Sequence, residues 1–348
     1  MQKLFLTILV SCALAASVCA HPDANAPKPA DDTKPALPVV TGTGENTFAT
    51  VPGWGHIPDK VVIGPTHGGV VVDKKGSIYI STDSANGIFV FAPDGSLEKN
   101  IAKEFPGIHG MMIREENGEE FIYAAHLKGK QGLKLKLDGT PVLKIPFGDD
   151  IAPLYPEGAN AYNPTAIAVA PNGDIFIADG YGKSLIHKYD STGKYIKTFG
   201  GKGKEEGKFE TSHGIALDTR SGKPLLLICD RANRRLQHFD LDGNFVAVIT
   251  TGLRLPCAVS FHGDHVAVAE LEGRVAILDK SNNVVATLGD NPDKSQRANF
   301  GVPPDAWKQG VFTAPHGISY DAAGNLYVQD WNKTGRATKL VKSVAGDQ

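Results

Sequence analysis

The sequence predicts an all-β fold, a six-bladed β-propeller built from blades of four antiparallel strands. Three observations carry that reading. The 348 residues include 39 glycines and 22 prolines, a content that fits many short strands joined by turns better than long helices. One strand–turn–strand pattern recurs six times after residue 60. No stretch approaches the roughly 20 apolar residues of a membrane-spanning helix.

From the N-terminus, residues 1–20 read as a secretory signal. Lys3 supplies the positive start, Leu4 to Val18 the apolar segment, and Val18-Cys19-Ala20 a small-residue cleavage site. A periplasmic or secreted location is therefore expected. Leu9-Val10-Ser11-Cys12 also fits a lipobox, which would anchor the protein to an outer surface through Cys12. Residues 21–45 are rich in Pro, Asp, Lys and Ala without apolar periodicity and read as a disordered leader, which leaves 46–348 to the propeller. The net charge of −2 gives no reason to expect nucleic acid or an anionic membrane as partner.

The repeat is clearest at Pro164-Thr165-Ala166-Ile167 with PNGDIFIAD, at Ser212-His213-Gly214-Ile215 before LLLICD, and at Pro315-His316-Gly317-Ile318 before DAAGNLYVQD. Weaker copies begin at His67, His109 and Cys257. Each continues with a third strand such as IHKYD and a fourth such as YIKTFG, and four short strands at a period of 40–60 residues make one blade. The sixth copy has only three strands, through ATKLVK, so Lys60 to Gly64 is expected to supply its outermost strand and close the ring.

Aligned, the repeats place Gly68, His109, Thr165, His213, Cys257 and His316 at one position per blade. The imidazoles fall on alternate blades, separated by 104 and 103 residues. Innermost strands line a propeller's channel, so these three side chains should meet on the axis. Neutral imidazole is the commonest metal ligand, and three protein ligands with an open position describe a catalytic zinc site. A histidine at a strand start can instead hydrogen-bond a neighbouring blade. His67 stands one residue off the repeat position, at the channel mouth or without a role. His126, His187, His238, His262 and His265 are expected on the surface. Cys257 is an apolar filler, a disulfide partner of Cys229 or a soft ligand.

The repeat wording resembles the NHL family, whose second-to-third strand turn is matched by Asp179-Gly180-Tyr181-Gly182-Lys183-Ser184 and Asp230-Arg231-Ala232-Asn233-Arg234-Arg235. Residues 105–331 further resemble the catalytic domain of peptidyl-α-hydroxyglycine α-amidating lyases, most strongly from Asn163 to Phe239. That resemblance implies zinc on His109, His213 and His316, Tyr181 as base and Arg231 as a substrate contact. It implies a small-molecule or peptide substrate split into an amide and glyoxylate. Three departures stand out. The family's first-blade arginine is absent from STDSANG. The aspartate it uses for structural calcium is Gly317 here, which argues against calcium. Its disulfide positions are not reproduced, His238 standing where one cysteine would be.

Two functions of different class follow. One is a metal-dependent carbon–nitrogen lyase. The alternative is a non-catalytic extracytoplasmic propeller that binds a protein partner. A propeller hydrolase would draw on carboxylates, and those clearly marked (Asp83, Asp179, Asp230, Glu270, Asp330) all end second strands.

Overall fold

The computed structural model describes residues 36–343, apart from 56 and 58–60. The expected signal, the Cys12 lipobox and most of the leader lie outside the described residues. Within them the six blades appear as five four-stranded antiparallel sheets and one of five strands. The chain is a six-bladed β-propeller, and among the described residues the only helical turns are short 3-10 segments. No described helix is long and apolar enough to cross a membrane.

The first blade runs from Val70–Val72 to Leu97–Ile101, the second from Ile108–Glu116 to Pro141–Pro146, and the third from Ala166–Val169 to Tyr195–Gly200. The fourth spans Ser212–Asp218 to Phe245–Thr251 and the fifth Pro256–His262 to Val284–Leu288. Middle strands such as Ile78–Ser81 and Ile88–Phe91 are buried at every position, whereas the outer strand Leu97–Ile101 exposes its adjacent charges Glu98 and Lys99. Blades therefore bury both faces of their middle strands against their neighbours. Val71, Tyr79, Ile88 and Val90 of blade one, for example, pack with Ile122, Ala124, Leu133 and Leu135 of blade two. Each such aliphatic side chain contributes about 1.5–3 kcal/mol when fully buried.

Ring closure differs from the expectation. Blade six consists of Pro315–Tyr320, Leu326–Asp330 and Arg336–Lys342, and its next strand is Asn46–Thr50, not Lys60–Gly64. Phe48 pairs with Lys342 and Thr50 with Leu340, while Val40–Thr43 adds a fifth strand outside them. The stretch read as leader thus contains a strand, Val40–Thr43. Asn46–Thr50 alternates buried and half-buried positions around a single large apolar residue, a weak pattern beside Val61-Val62-Ile63. Ile63 is buried, but it packs in the cluster of Trp54 and Tyr327 without joining a strand.

Phe48 is fully buried among Ala286, Leu288, Phe312 and Leu340, so it pins the N-terminal segment to the last blade. Phe48→Ala is expected to cost about 3–5 kcal/mol, the usual range for a large buried ring. Urea unfolding checks this; a loss under about 1 kcal/mol would mean that the closure strand contributes little.

The strand-ending carboxylates serve the loops. Asp179 accepts from the backbone N–H of Asn163 (2.6 Å) and Lys183 (2.7 Å). Asp230 accepts from Glu210 N–H (2.8 Å) and Arg235 Nε (2.6 Å). Asp330 takes Thr313 and Ala314 N–H at 3.0 and 2.6 Å, and Glu270 is bonded to Arg254 N–H and Arg274. Four of the five acidic residues thus fix blade geometry. Only Asp83 is left facing the channel mouth.

Candidate metal centre

His109, His213 and His316 each begin an inner strand and are followed by glycine. A Cβ added at Gly110 would stand 2.6 Å from the Thr165 carbonyl, and one at Gly317 2.6 Å from that of Gly68. The glycines let the next blade's inner strand close against the histidine. The three imidazoles are 2–3% exposed, and their ring centroids lie 4.6–4.9 Å apart. The repeat positions of all six blades line one small cavity of about 60 Å³ on the axis, room for no more than a few waters.

Backbone carbonyls set the tautomers of two histidines. His109 Nδ1 lies 2.6 Å from the Thr165 carbonyl and His213 Nδ1 2.8 Å from that of Cys257. A carbonyl only accepts, so each Nδ1 carries the proton and each Nε2 presents a lone pair. These contacts also bridge to the next blade, so each side chain makes an inter-blade hydrogen bond while its Nε2 stays turned to the channel.

The Nε2 atoms share one neighbour, the Tyr181 phenol oxygen. It lies 2.9 Å from His213, 3.3 Å from His109 and 3.4 Å from His316. Arg231 Nη1 donates to that oxygen at 3.2 Å, with the guanidinium 5.1 Å from the ring centroid. His67 reaches it as well, Nε2 at 3.2 Å. One phenol proton cannot serve two Nε2 lone pairs, and a buried acceptor without a donor is costly. This surplus of lone pairs, with no acidic proton to match it, is the donor set a divalent transition ion fits.

The electrostatics agree. Burial, then the neighbouring His67 and Arg231, hold His109 well below the usual imidazole pKa, although the Thr165 carbonyl pulls it back up. Burial, then Arg231 and His109, act likewise on His213. Burial and the other histidines depress His316. All three are therefore neutral near pH 7, the protonation state a ligand needs. Burial pushes the Tyr181 phenol up to about 12, and Arg231 opposes that rise.

The other sequence-singled residues sort differently. Cys229 and Cys257 are both buried free thiols, and burial raises Cys257 to about 11 against the pull of Arg231. Its Sγ nonetheless lies within 4.8 Å of ligand atoms on His213 and His316. His126, His187 and His238, expected on the surface, are 5%, 0% and 8% exposed. They are polar pins inside blades: His126 to the Pro106 carbonyl, His187 between Tyr155 and Thr198, His238 to Asp218. Trp331 was not singled out, yet its ring stands 6.1 Å from His67 and 4.9 Å from Phe300. It follows Asp330 as Arg231 follows Asp230, so equal placement after the second strand was the signal that could have found it.

Fold and site together define a six-bladed propeller with a histidine-rich candidate metal centre in its channel. Among curated proteins the chain is similar to peptidyl-alpha-hydroxyglycine alpha-amidating lyases. It is 26% identical over 250 residues to the probable lyase pgal-1 of Caenorhabditis elegans, covering 67% of this chain and 65% of that one. It is 30% identical over 215 residues to lyase 1 of Drosophila melanogaster, covering 56% and 37%. Mouse peptidyl-glycine alpha-amidating monooxygenase is 36% identical over 153 residues, 37% of this chain and 15% of that one. The chain thus spans less than two thirds of the length of these relatives. No protein-family model matches. Solved propellers share the fold: a streptogramin B lyase (TM-score 0.53, 15% identity, 80% of this chain and 95% of that one) and a Xanthomonas campestris gluconolactonase (0.60, 11%, 89% and 98%). The chain is a six-bladed propeller with sequence similarity to these lyases.

Proposed function

We propose that this protein is a metal-dependent lyase that splits an α-hydroxylated amide into an amide and glyoxylate, acting after export from the cytoplasm. The observation that carries the reading is the convergence of the histidine Nε2 atoms and the Arg231 guanidinium on the Tyr181 phenol oxygen. His109, His213 and His316 would hold the ion, and zinc suits their imidazole donors. Bound there, a divalent ion supplies positive charge that acidifies an adjacent hydroxyl or phenol.

The chain's own groups account for the rest. Tyr181, ionised, takes the proton of the substrate's α-hydroxyl. The O–H pair becomes the C=O of glyoxylate, the C–N bond breaks, and its pair passes to the amide nitrogen. Tyr181 returns the proton to that nitrogen, so atoms and charge balance without water. Arg231 stabilises the phenolate through its 3.2 Å contact and by facing the ring. It also offers its remaining N–H groups to a substrate carboxylate or carbonyl.

Glyoxylate release from an α-hydroxyglycine amide tests the reaction. Tyr181→Phe is expected to lower turnover about 10²–10⁴-fold, the range for loss of a positioned acid–base group, while metal content stays unchanged. Activity surviving that substitution would remove Tyr181 from the role of base. Native protein with no stoichiometric transition metal would instead favour the non-catalytic binding module.

A further inference from the structure

The repeat position of blade one is Gly68, and the fold leaves no space for a side chain there. A Cβ at Gly68 would run into Ser81 Oγ and stand 2.7 Å from the His109 carbonyl. The imidazole comes instead from the preceding residue. His67 Nε2 lies 3.2 Å from the same Tyr181 oxygen that the other three share. Its ring centroid is 4.8 Å from that of His109 and 5.1 Å from that of His316. The ligand atoms of His67, His109 and His316 all fall within 4.8 Å of one another.

His67 is also held in place. Thr66 pairs with Asn332 in an antiparallel bridge, and its Oγ1 donates to the Asp330 carbonyl at 2.7 Å. The Asp83 backbone N–H donates to the Pro65 carbonyl at 2.9 Å. On the other side of the ring, His67 Nδ1 lies 3.5 Å from the Asp83 carboxylate. A carboxylate on one ring nitrogen, with the other aimed at a shared point, is how ligating histidines are commonly oriented. Asp83 belongs to STDSANG, the segment that lacks the family's arginine. Blade one therefore brings an imidazole and its carboxylate partner in place of that arginine.

We propose that His67 is a fourth imidazole ligand of this centre, oriented by Asp83. The proposal rests on the reading that the channel binds a metal. His67 and Asp83 side chains are 21% and 27% exposed against 2–3% for the other three histidines, so the fourth ligand stands on the side that solvent reaches. Four imidazoles complete a tetrahedral ion, so an ion that also takes substrate must accept a fifth donor.

Cobalt(II) titration of the full chain, followed by visible absorption and by competition with a chelator, tests this. The native protein should bind one equivalent. His67→Ala should bind at least about 10-fold more weakly, with shifted absorption bands. Asp83→Asn should lose about 10-fold in affinity while keeping the band positions, because the ligand remains and only its orienting partner changes. His213→Ala serves as the reference for loss of the centre. If His213→Ala loses cobalt while His67→Ala keeps native affinity and spectrum, the metal reading stands and the fourth ligand is overturned. If the native chain takes up no cobalt, both are overturned.

Discussion

Replacing His213 with alanine is expected to strip the propeller of its metal and, with it, of turnover. The imidazole stands 4.6 and 4.9 Å, centroid to centroid, from those of His316 and His109. Its Nε2 is the closest of the four to the Tyr181 oxygen, at 2.9 Å. Loss of an outer hydrogen-bond partner of a metal ligand costs roughly 10–100-fold in affinity, so loss of the ligand itself should exceed about 100-fold. Turnover should fall by at least the same factor. The substitution also removes the donor to the Cys257 carbonyl, so some stability is lost as well. His238→Ala separates the two effects. His238 is buried in the same blade and bonded to Asp218 at 2.9 Å, and its loss should lower stability while leaving metal content native. Equal metal loss in both variants would show that the centre responds to blade packing, with no ligand role for His213.

Much of this was legible in the sequence, and the reason is periodicity. An inner-strand position recurs once per blade, so equal placement in the repeat becomes equal placement around the axis, and the three histidines could be assigned without coordinates. Tyr181 and Arg231 were singled out only through the family resemblance of their turns. Residues that break the period were not. His67 is displaced by one position because Gly68 must stay bare, a steric fact of two neighbouring blades. Ring closure pairs Asn46–Thr50 with Arg336–Lys342, strands nearly 300 residues apart, and the closing strand's polar alternation says little until its partner is known. His126, His187 and His238 looked like surface residues because they sit on second and third strands, away from the inner-strand repeat position. Middle strands are buried on both faces in a propeller, so each needed an internal acceptor or donor, which the sequence does not announce.

The metal-free protein should be acid-labile, with a slope that counts its channel histidines. Burial and neighbouring positive charge depress His109, His213 and His316 well below the ordinary imidazole value. In the unfolded chain each titrates near pH 6.5. Below that pH the unfolded state takes up protons that the folded state refuses, so stability is full above about 6.5 and falls as the pH drops. Each proton contributes about 1.4 kcal/mol per pH unit, so three contribute about 4. His187, depressed by burial to about 4, and His126, lowered chiefly by burial, act with the same sign. The buried Asp179 and Asp330, raised mainly by burial, act with the opposite sign and offset the loss only as the carboxylate range is reached. Against a usual total stability of about 5–15 kcal/mol, the channel alone could unfold the protein within a few pH units. Urea midpoints at pH 7.5, 6.0 and 5.0 in the presence of chelator would show the slope. In His213→Leu, which keeps the volume without the titrating group, the slope should drop by about 1.4 kcal/mol per pH unit, the contribution of one proton. An unchanged slope in that variant would mean that the channel imidazoles accept protons in the folded state, and the neutral ligand set argued above would fall with it.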